Sequence, residues 1–324
     1  MVQTLDPAKT RGQASEQKAT PHPQWAFFKG KFVPIDDAKI SIMTQVVNYG
    51  IGAFGGIRAY WNEEGEQLYV FRIQDHVRRF LNAGKLFNAT LPYSAEDLQR
   101  IVVDLLRHEG YREDAYIRPL IYNATEDITP RLYDVEFDFT CFTKPMGNYI
   151  DLQVRACTSS WRRLDDNTIP SRGKITGGYI NSAFSKSEAH WNGYDEAIVL
   201  NPDGHIAEGS AMNLFIVRDG KLLTPAVTDN ILEGITRRTV IQLAQADLNI
   251  PVIERTIDRS ELYIADEVLF AGTGAQVAAV VEIDHRPIGS GKMGPVTQKL
   301  QDAYFGIVRG KNPKYTGWLT PVYA

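Results

Sequence analysis

The first residue whose setting could do chemistry is a lysine in a stretch where main chain can come close to a ligand. Lys174 stands in Ser171-Arg-Gly-Lys-Ile-Thr-Gly-Gly-Tyr179, with Pro170 ahead of it and Gly173, Gly177 and Gly178 around it. A turn-forming proline and glycines without a Cβ allow that approach. An amine placed there could form a Schiff base with a carbonyl compound. Most lysines are solvated surface charges, so the case rests on its neighbours in the chain. Glu208, in Ala207-Glu-Gly209, is a carboxylate beside small residues and could hold a protonated ring nitrogen. Gly234-Ile-Thr236 opens a helical pattern, where free N–H groups and the helix dipole make an anion site. Thr273, in Ala271-Gly-Thr-Gly-Ala275, belongs either to a tight sheet-end turn or to a second anion contact.

The elements that must position these residues fall into two blocks. Strand patterns cover Ala26–Phe28, Phe32–Pro34 and the alternating Ala38–Met43, and Thr44 is placed to cap a short helix holding Val46, Val47 and Tyr49. Gly50–Tyr60 has too many glycines for a helix interior and reads as loop or strand. Leu68–Phe71 is a strand, followed by a helix over 75–87 with Phe80, Ala83 and Leu86 inward. Ser94 caps a second helix that buries Leu98, Ile101, Val102, Leu105 and Leu106. Strands at Ala115–Ile121 and Phe137–Phe142 complete an α+β half.

The second half opens with a strand over Leu152–Cys157 and a helix from about Asn181 to His190. Strands at Ala197–Leu200, Asn213–Val217 and Leu222–Thr224 are separated by Asn201-Pro-Asp-Gly204 and Asp219-Gly220, which predicts antiparallel neighbours. A helix from Gly234 presents Val240, Leu243, Ala244 and Leu248 inward. Strands at Val252–Ile253, Val268–Phe270 and Val277–Ile283 alternate with a further helix start at Ser260-Glu261. The expected division is a tail over 1–24, polar enough to be disordered and lacking the apolar core of a secretory signal. It is followed by a small α+β domain over 25–145, a connector over 146–152 and a large domain over 153–324.

With 324 residues the chain can bury two cores. It is 44% hydrophobic and 23% charged with net charge -4, an ordinary globular balance with no electrostatic footprint for nucleic acid or an anionic membrane. No run approaches the roughly 18 apolar residues of a membrane span, and no metal-ligand grouping is read. Cys141 and Cys157 lie in apolar strand-like segments and read as two buried thiols in a reducing cytosol.

Eight motifs, in order from Trp25 onward, carry a resemblance. They are Tyr49-Gly50 with Phe54-Gly-Gly-Ile-Arg58, His76-Val-Arg-Arg79, Ala115-Tyr-Ile-Arg-Pro119, Pro170 to Tyr179, Ala207-Glu-Gly-Ser210 with Asn213-Leu-Phe215, Leu232-Glu-Gly-Ile-Thr-Arg237, Leu262-Tyr-Ile-Ala-Asp-Glu267 and Gly272-Thr273. In these the chain resembles the fold-type IV pyridoxal-phosphate enzymes, and among them the branched-chain amino acid aminotransferases. The resemblance implies a two-domain α+β fold, with a small domain and a larger one built on a mainly antiparallel, barrel-like sheet with flanking helices. It implies pyridoxal 5'-phosphate as cofactor and Lys174 as the Schiff-base lysine and proton carrier. Glu208 would meet the pyridine nitrogen and Tyr179 the ring hydroxyl. The phosphate would be met by Arg79, by the backbone of Ile235 and Thr236, and by Thr273, with Leu232 on the ring face.

By the same resemblance Phe54, Gly56, Tyr116 and Tyr149 wall the substrate pocket, with Thr273 and Gly274 beside it. Arg58 and Arg118 lie near the carboxylate end, and Tyr49 reaches in from a partner subunit. Gly55, Gly274 and the connector Pro145–Asp151 depart from the residues usual in the family, all around the pocket mouth. The implied protein is a cytoplasmic homodimer, or a higher homo-oligomer with active sites at the dimer interface. It would move the amino group of L-leucine, L-isoleucine or L-valine to 2-oxoglutarate. The alternatives are an (R)-selective amine or D-amino-acid transaminase on the same scaffold, more distantly a cofactor-dependent lyase, and a non-catalytic scaffold that kept the fold.

Overall fold

The computed structural model describes residues 22–148 and 150–323. Tyr149 and most of the expected tail therefore lie outside the described residues. An eight-stranded first sheet holds β1 Trp25–Phe28, β2 Lys31–Pro34, β3 Gly52–Phe54, β4 Ile57–Asn62, β5 Gln67–Phe71, β6 Ala115–Asn123, β7 Phe137–Pro145 and, from the far end of the chain, β17 Leu319–Pro321. The second sheet has nine strands: β8 Gln153–Arg162, β9 Glu196–Leu200, β10 Ile206–Gly209, β11 Asn213–Arg218, β12 Lys221–Thr224, β13 Val252–Glu254, β14 Glu267–Gly272, β15 Gln276–Ile283 and β16 Arg286–Pro287. The helices are α1 Gln45–Tyr49, α2 Ile73–Leu86, α3 Ala95–Glu109, α4 Tyr179–Trp191, α5 Ile235–Ala246 and α6 Pro295–Val308.

Local chemistry explains most of these elements. Ser94 starts α3 with a reciprocal box, its hydroxyl accepting from Asp97 N at 3.1 Å while its own N–H donates to Asp97 at 3.0 Å. Val77, Phe80 and Ala83 of α2 and Leu98, Ile101, Val102, Leu105 and Leu106 of α3 are buried against the first sheet. A second core joins the two halves: Tyr60 and Phe71 of the first sheet pack with Phe215 and Leu269 of the second and with α5 and α6.

Several expectations are corrected. Ala38–Met43 forms no strand, and its apolar side chains Ile40, Ile42 and Met43 are exposed. Leu86 is exposed rather than inward, because α2 ends there. Thr44 precedes α1, but its hydroxyl donates back to Ser41 O instead of capping the helix. β9 is not a neighbour of β11. The Asn201–Gly204 turn returns the chain as β10 against β9, and β9 then pairs in parallel with β8, whereas β11 lies between β14 and β12. The pattern at Ser260-Glu261 makes a 3-10 turn, Arg259–Ile264, with Asp258 as its cap. At the far end of the chain, Leu319–Pro321 pairs antiparallel with β5 in the first sheet.

Candidate active site

Lys174 is fixed by main chain before its side chain is considered. A 3-10 turn, Ser171–Gly173, ends on it, and it takes a left-handed conformation (φ 47°), costly for a residue with a Cβ. Its carbonyl accepts from Phe54 N at 3.2 Å, and Ile175 bridges Ala53, so the lysine is sewn to β3 of the opposite sheet. Next to it Gly50 and Gly177 touch main chain to main chain: Gly177 N donates to Gly50 O at 3.1 Å, and a Cβ on Gly50 would stand 2.7 Å from Gly177 Cα. Gly177 thus serves the joint between the two halves.

The amine donates to the Tyr179 hydroxyl at 2.6 Å and lies 4.9 Å from the centre of the Phe54 ring. Burial, with Arg79 and Arg118 nearby, drives its pKa well below that of a free lysine, and Glu208 opposes the shift. Burial also raises the Tyr179 phenol, helped by the charge of Glu208, so the phenol keeps its proton.

Glu208, on β10, is almost fully buried. Arg163 Nη2 lies 2.6 Å from its Oε1, Asn213 Nδ2 donates to its Oε2 at 2.8 Å, and Leu232 N donates at 3.2 Å. Burial raises its pKa and Arg163 counters this. Leu232 therefore meets Glu208 through its backbone. Asn213 Nδ2 also donates to Leu232 O at 2.9 Å, which ties the carboxylate to the approach of α5. Gly234 caps α5 in an extended conformation, and a Cβ there would lie 2.0 Å from Asn213 Oδ1, so the side chain of Asn213 occupies the space that a larger residue would need. Ile235 and Thr236, both buried, supply the first N–H groups of that helix. Arg79 reaches this point from α2, its Nη1 donating to Glu233 O at 2.9 Å, while Arg78 is exposed as an ordinary surface charge.

The aromatic wall is also assembled. Phe54 and Tyr179 meet edge to face at 4.6 Å, and Arg118 stacks 4.5 Å over Phe54 while donating to the Tyr116 hydroxyl at 2.9 Å. Gly56 is required because a Cβ would fall 2.3 Å from that hydroxyl.

Arg58 is not free to meet a carboxylate. It is fully buried, and its guanidinium donates to Met146 O and Gly147 O at 2.6 Å and to Gly274 O at 3.5 Å. It binds the connector and the Thr273-Gly274 turn to the first sheet, and Thr273 is half-buried in that turn. Tyr49 stays outside the cluster, half-exposed, with its hydroxyl donating to Ile128 O.

Sequence reasoning missed Arg163, whose place behind Glu208 depends on tertiary structure alone. It missed Asn213 as the link between Glu208 and α5, although the residue stands in a quoted motif. His76 is buried with Nδ1 unpaired, and burial beside Arg79 and Arg72 pushes its pKa well down.

The comparisons match this geometry. The family model of class IV amino-transferases matches residues 52–283, which include most strands of both sheets and the residues around Lys174 and Glu208. The chain belongs to the class IV aminotransferases. A probable branched-chain-amino-acid aminotransferase of Aquifex aeolicus is 52% identical over 301 residues, covering 92% of this chain and 97% of the relative. The branched-chain aminotransferase of Thermoproteus uzoniensis, solved with norvaline, superposes with a TM-score of 0.89 at 44% identity, covering 93% of this chain and all of that one (100%). The branched-chain amino acid aminotransferase of Thermobaculum terrenum in its pyridoxal-phosphate form gives 0.88 at 36% identity, covering 93% and 99%.

Class IV aminotransferases depend on pyridoxal 5'-phosphate, and the residues of this one fit it. A half-buried amine with a lowered pKa, a buried carboxylate in electrostatic reach of it, and the free N–H groups at the start of α5 are the three features that cofactor needs. Among the described residues no helix is long and apolar enough to cross a membrane.

Proposed function

We propose that this class IV aminotransferase transfers the amino group of L-leucine, L-isoleucine and L-valine to 2-oxoglutarate. One observation carries the reading: the half-buried Lys174 amine, 2.6 Å from the Tyr179 hydroxyl, lies in the electrostatic field of the buried Glu208. A scaffold has no use for a buried amine and a buried acid so arranged, since both cost stability. The names of the relatives support the choice of amino acid.

Pyridoxal phosphate supplies the electron sink and the group that carries the amine between substrates. Lys174 holds the cofactor and, as a neutral amine, takes the proton from the substrate Cα. Tyr179, kept protonated, orients that amine. Glu208 holds a proton on the ring nitrogen, and Arg163, Asn213 and Leu232 N keep its carboxylate in place. Arg79 and the N–H groups of Ile235 and Thr236 bind the phosphate, with Thr273 as a further contact and Leu232 against the ring. Phe54, Gly56, Tyr116 and Tyr149 shape a pocket for an aliphatic side chain, whose burial favours binding by about 25 cal/mol per Å². Arg118 faces the carboxylate end, while Arg58 acts from behind by holding Gly274.

The working unit is a homodimer. Ile42, Val47, Ile128 and Tyr133 are exposed, with the Tyr49 hydroxyl bonded to Ile128 O, and Ile180 and Phe184 of α4 are exposed with Trp161 stacked on Phe184. Apolar surface of this extent marks an association face. In the dimer Tyr49 reaches the partner's pocket. Residues 25–145 form the small domain, 146–152 the connector and 153–324 the cofactor domain, apart from the strand returned to the first sheet. Two buried, unpaired thiols suit the reducing cytoplasm.

The test is turnover of purified enzyme loaded with pyridoxal phosphate, with L-leucine and 2-oxoglutarate. Glutamate and 2-oxo-4-methylpentanoate should appear in equal amounts. Turnover with (R)-1-phenylethylamine or D-alanine but not L-leucine would transfer the assignment to the (R)-amine or D-amino-acid reading.

A further inference from the structure

We propose that Arg72 is a positioning residue for the phosphate site, setting Arg79 against the first turn of α5. This rests on the pyridoxal-phosphate reading above. The two halves of that site come from different parts of the chain: Arg79 from α2, packed on the first sheet, and the N–H groups of Ile235 and Thr236 from α5, packed on the second. Arg79 touches the approach to α5 at one point, Glu233 O. Arg238 of α5 adds an ion pair to Asp75 of α2 at 3.2 Å, but from a side chain open to solvent, where such a pair is worth little.

Arg72 supplies the buried contact. It is the residue before α2, buried, in a left-handed conformation (φ 49°). Its Nη1 donates to Thr239 Oγ1 at 3.0 Å and to Gln242 Oε1 at 2.8 Å, both on α5. The Thr239 hydroxyl in turn donates to Ile235 O at 2.9 Å, so a two-step chain runs from the guanidinium to the first residue of α5. Its Nε donates to Asp75 at 2.7 Å, one turn into α2. The guanidinium therefore grips the start of α2 and the middle of α5, two helical turns from Arg79 along α2.

The far side is clamped too. Arg72 N donates to Trp318 O at 2.7 Å, and the guanidinium lies 4.5 Å over the Trp318 ring. Trp318 leads directly into β17, which is paired to β5, so the C-terminal segment backs this junction. Asp75 is also held by Arg78 and by Arg238, so removing Arg72 does not strand an unpaired carboxylate. The replacement should fold.

The experiment compares two probes on the apo-protein: pyridoxal 5'-phosphate and pyridoxal, which lacks the phosphate. For Arg72→Met the dissociation constant for pyridoxal 5'-phosphate should rise roughly tenfold while that for pyridoxal stays unchanged, since the lost contact acts on the phosphate side alone. Thr239→Val, which keeps Arg72 and removes only the hydroxyl link, should shift the same ratio in the same direction and serves if the first variant is unstable. Equal weakening of both probes, or no change in either variant, overturns the positioning role. A wild type that takes up neither compound overturns the site reading itself, and this inference with it.

Discussion

Arg163 Nη2 lies 2.6 Å from Glu208 Oε1 at the floor of the site, both groups nearly out of water. The pair decides the charge on the acid. Burial alone would neutralise Glu208; Arg163, Asn213 Nδ2 and Leu232 N make an ionised carboxylate tenable there. Glu208→Gln should slow removal of the substrate Cα proton by roughly 10²-fold or more while shifting cofactor affinity much less. Single-turnover kinetics would show this, and an unchanged rate would remove Glu208 from the mechanism.

Arg163→Met leaves that carboxylate buried without its cation, which should cost about 3 kcal/mol of stability at neutral pH. The sign of the pH dependence follows. With Glu208 raised in the folded state, the cost is absent below the ordinary glutamate pKa and grows as pH rises through the folded value. Denaturant titrations at pH 4.5 and pH 7.5 should give a small difference from wild type and then a larger one. A pH-independent difference would mean that packing, not charge, is what Arg163 supplies.

The Lys174 amine has the opposite signature. Its pKa is depressed in the folded apo-protein, so the unfolded chain binds the extra proton and stability is reduced at neutral pH. Lys174→Met should be more stable than wild type there, with an advantage that shrinks as pH rises toward 10.5 and vanishes only above it, where the unfolded chain also carries a neutral amine. Thermal melts of the two apo-proteins between pH 7 and pH 10 check this. A wild type more stable than the variant throughout would contradict a desolvated lysine.

Gly234→Ala should push Asn213 aside, because the added methyl falls 2.0 Å from its Oδ1. Asn213 holds both Glu208 and Leu232, so the disturbance reaches the acid and the phosphate site together. We expect a loss of about 1–3 kcal/mol in stability and weaker cofactor uptake, read by equilibrium dialysis. Normal uptake would show that the helix start tolerates a side chain and is not shaped for an anion.

The fold was legible where local rules decide. The Ser94 cap, the apolar stripe of α3 and the Asp219-Gly220 hairpin all stand as their sequences predict. The cluster around Lys174, Glu208 and Arg79 was legible through motifs in order, and the structure brings these residues together. Arg163 follows another arginine at a strand end, and nothing local separates it from a surface charge. Arg58 looked like a carboxylate reader; only the folded chain shows its donors taken by Met146, Gly147 and Gly274. Ala38–Met43 alternates like a strand, yet no partner strand reaches it, so its apolar residues stay exposed. The order of β9 and β11 depends on a parallel pairing with β8, a long-range choice that hairpin chemistry does not encode.

The central claim is that Lys174 works on L-amino acids through pyridoxal phosphate. The most direct measurement is the absorbance spectrum of the reconstituted enzyme before and after L-leucine, beside Lys174→Ala. The account predicts a yellow band in the wild type that L-leucine bleaches within one turnover, and no such band or bleaching in the variant, which stays folded. A wild type that shows no band after incubation with pyridoxal phosphate would contradict it, as would a Lys174→Ala protein that still bleaches with L-leucine at the wild-type rate.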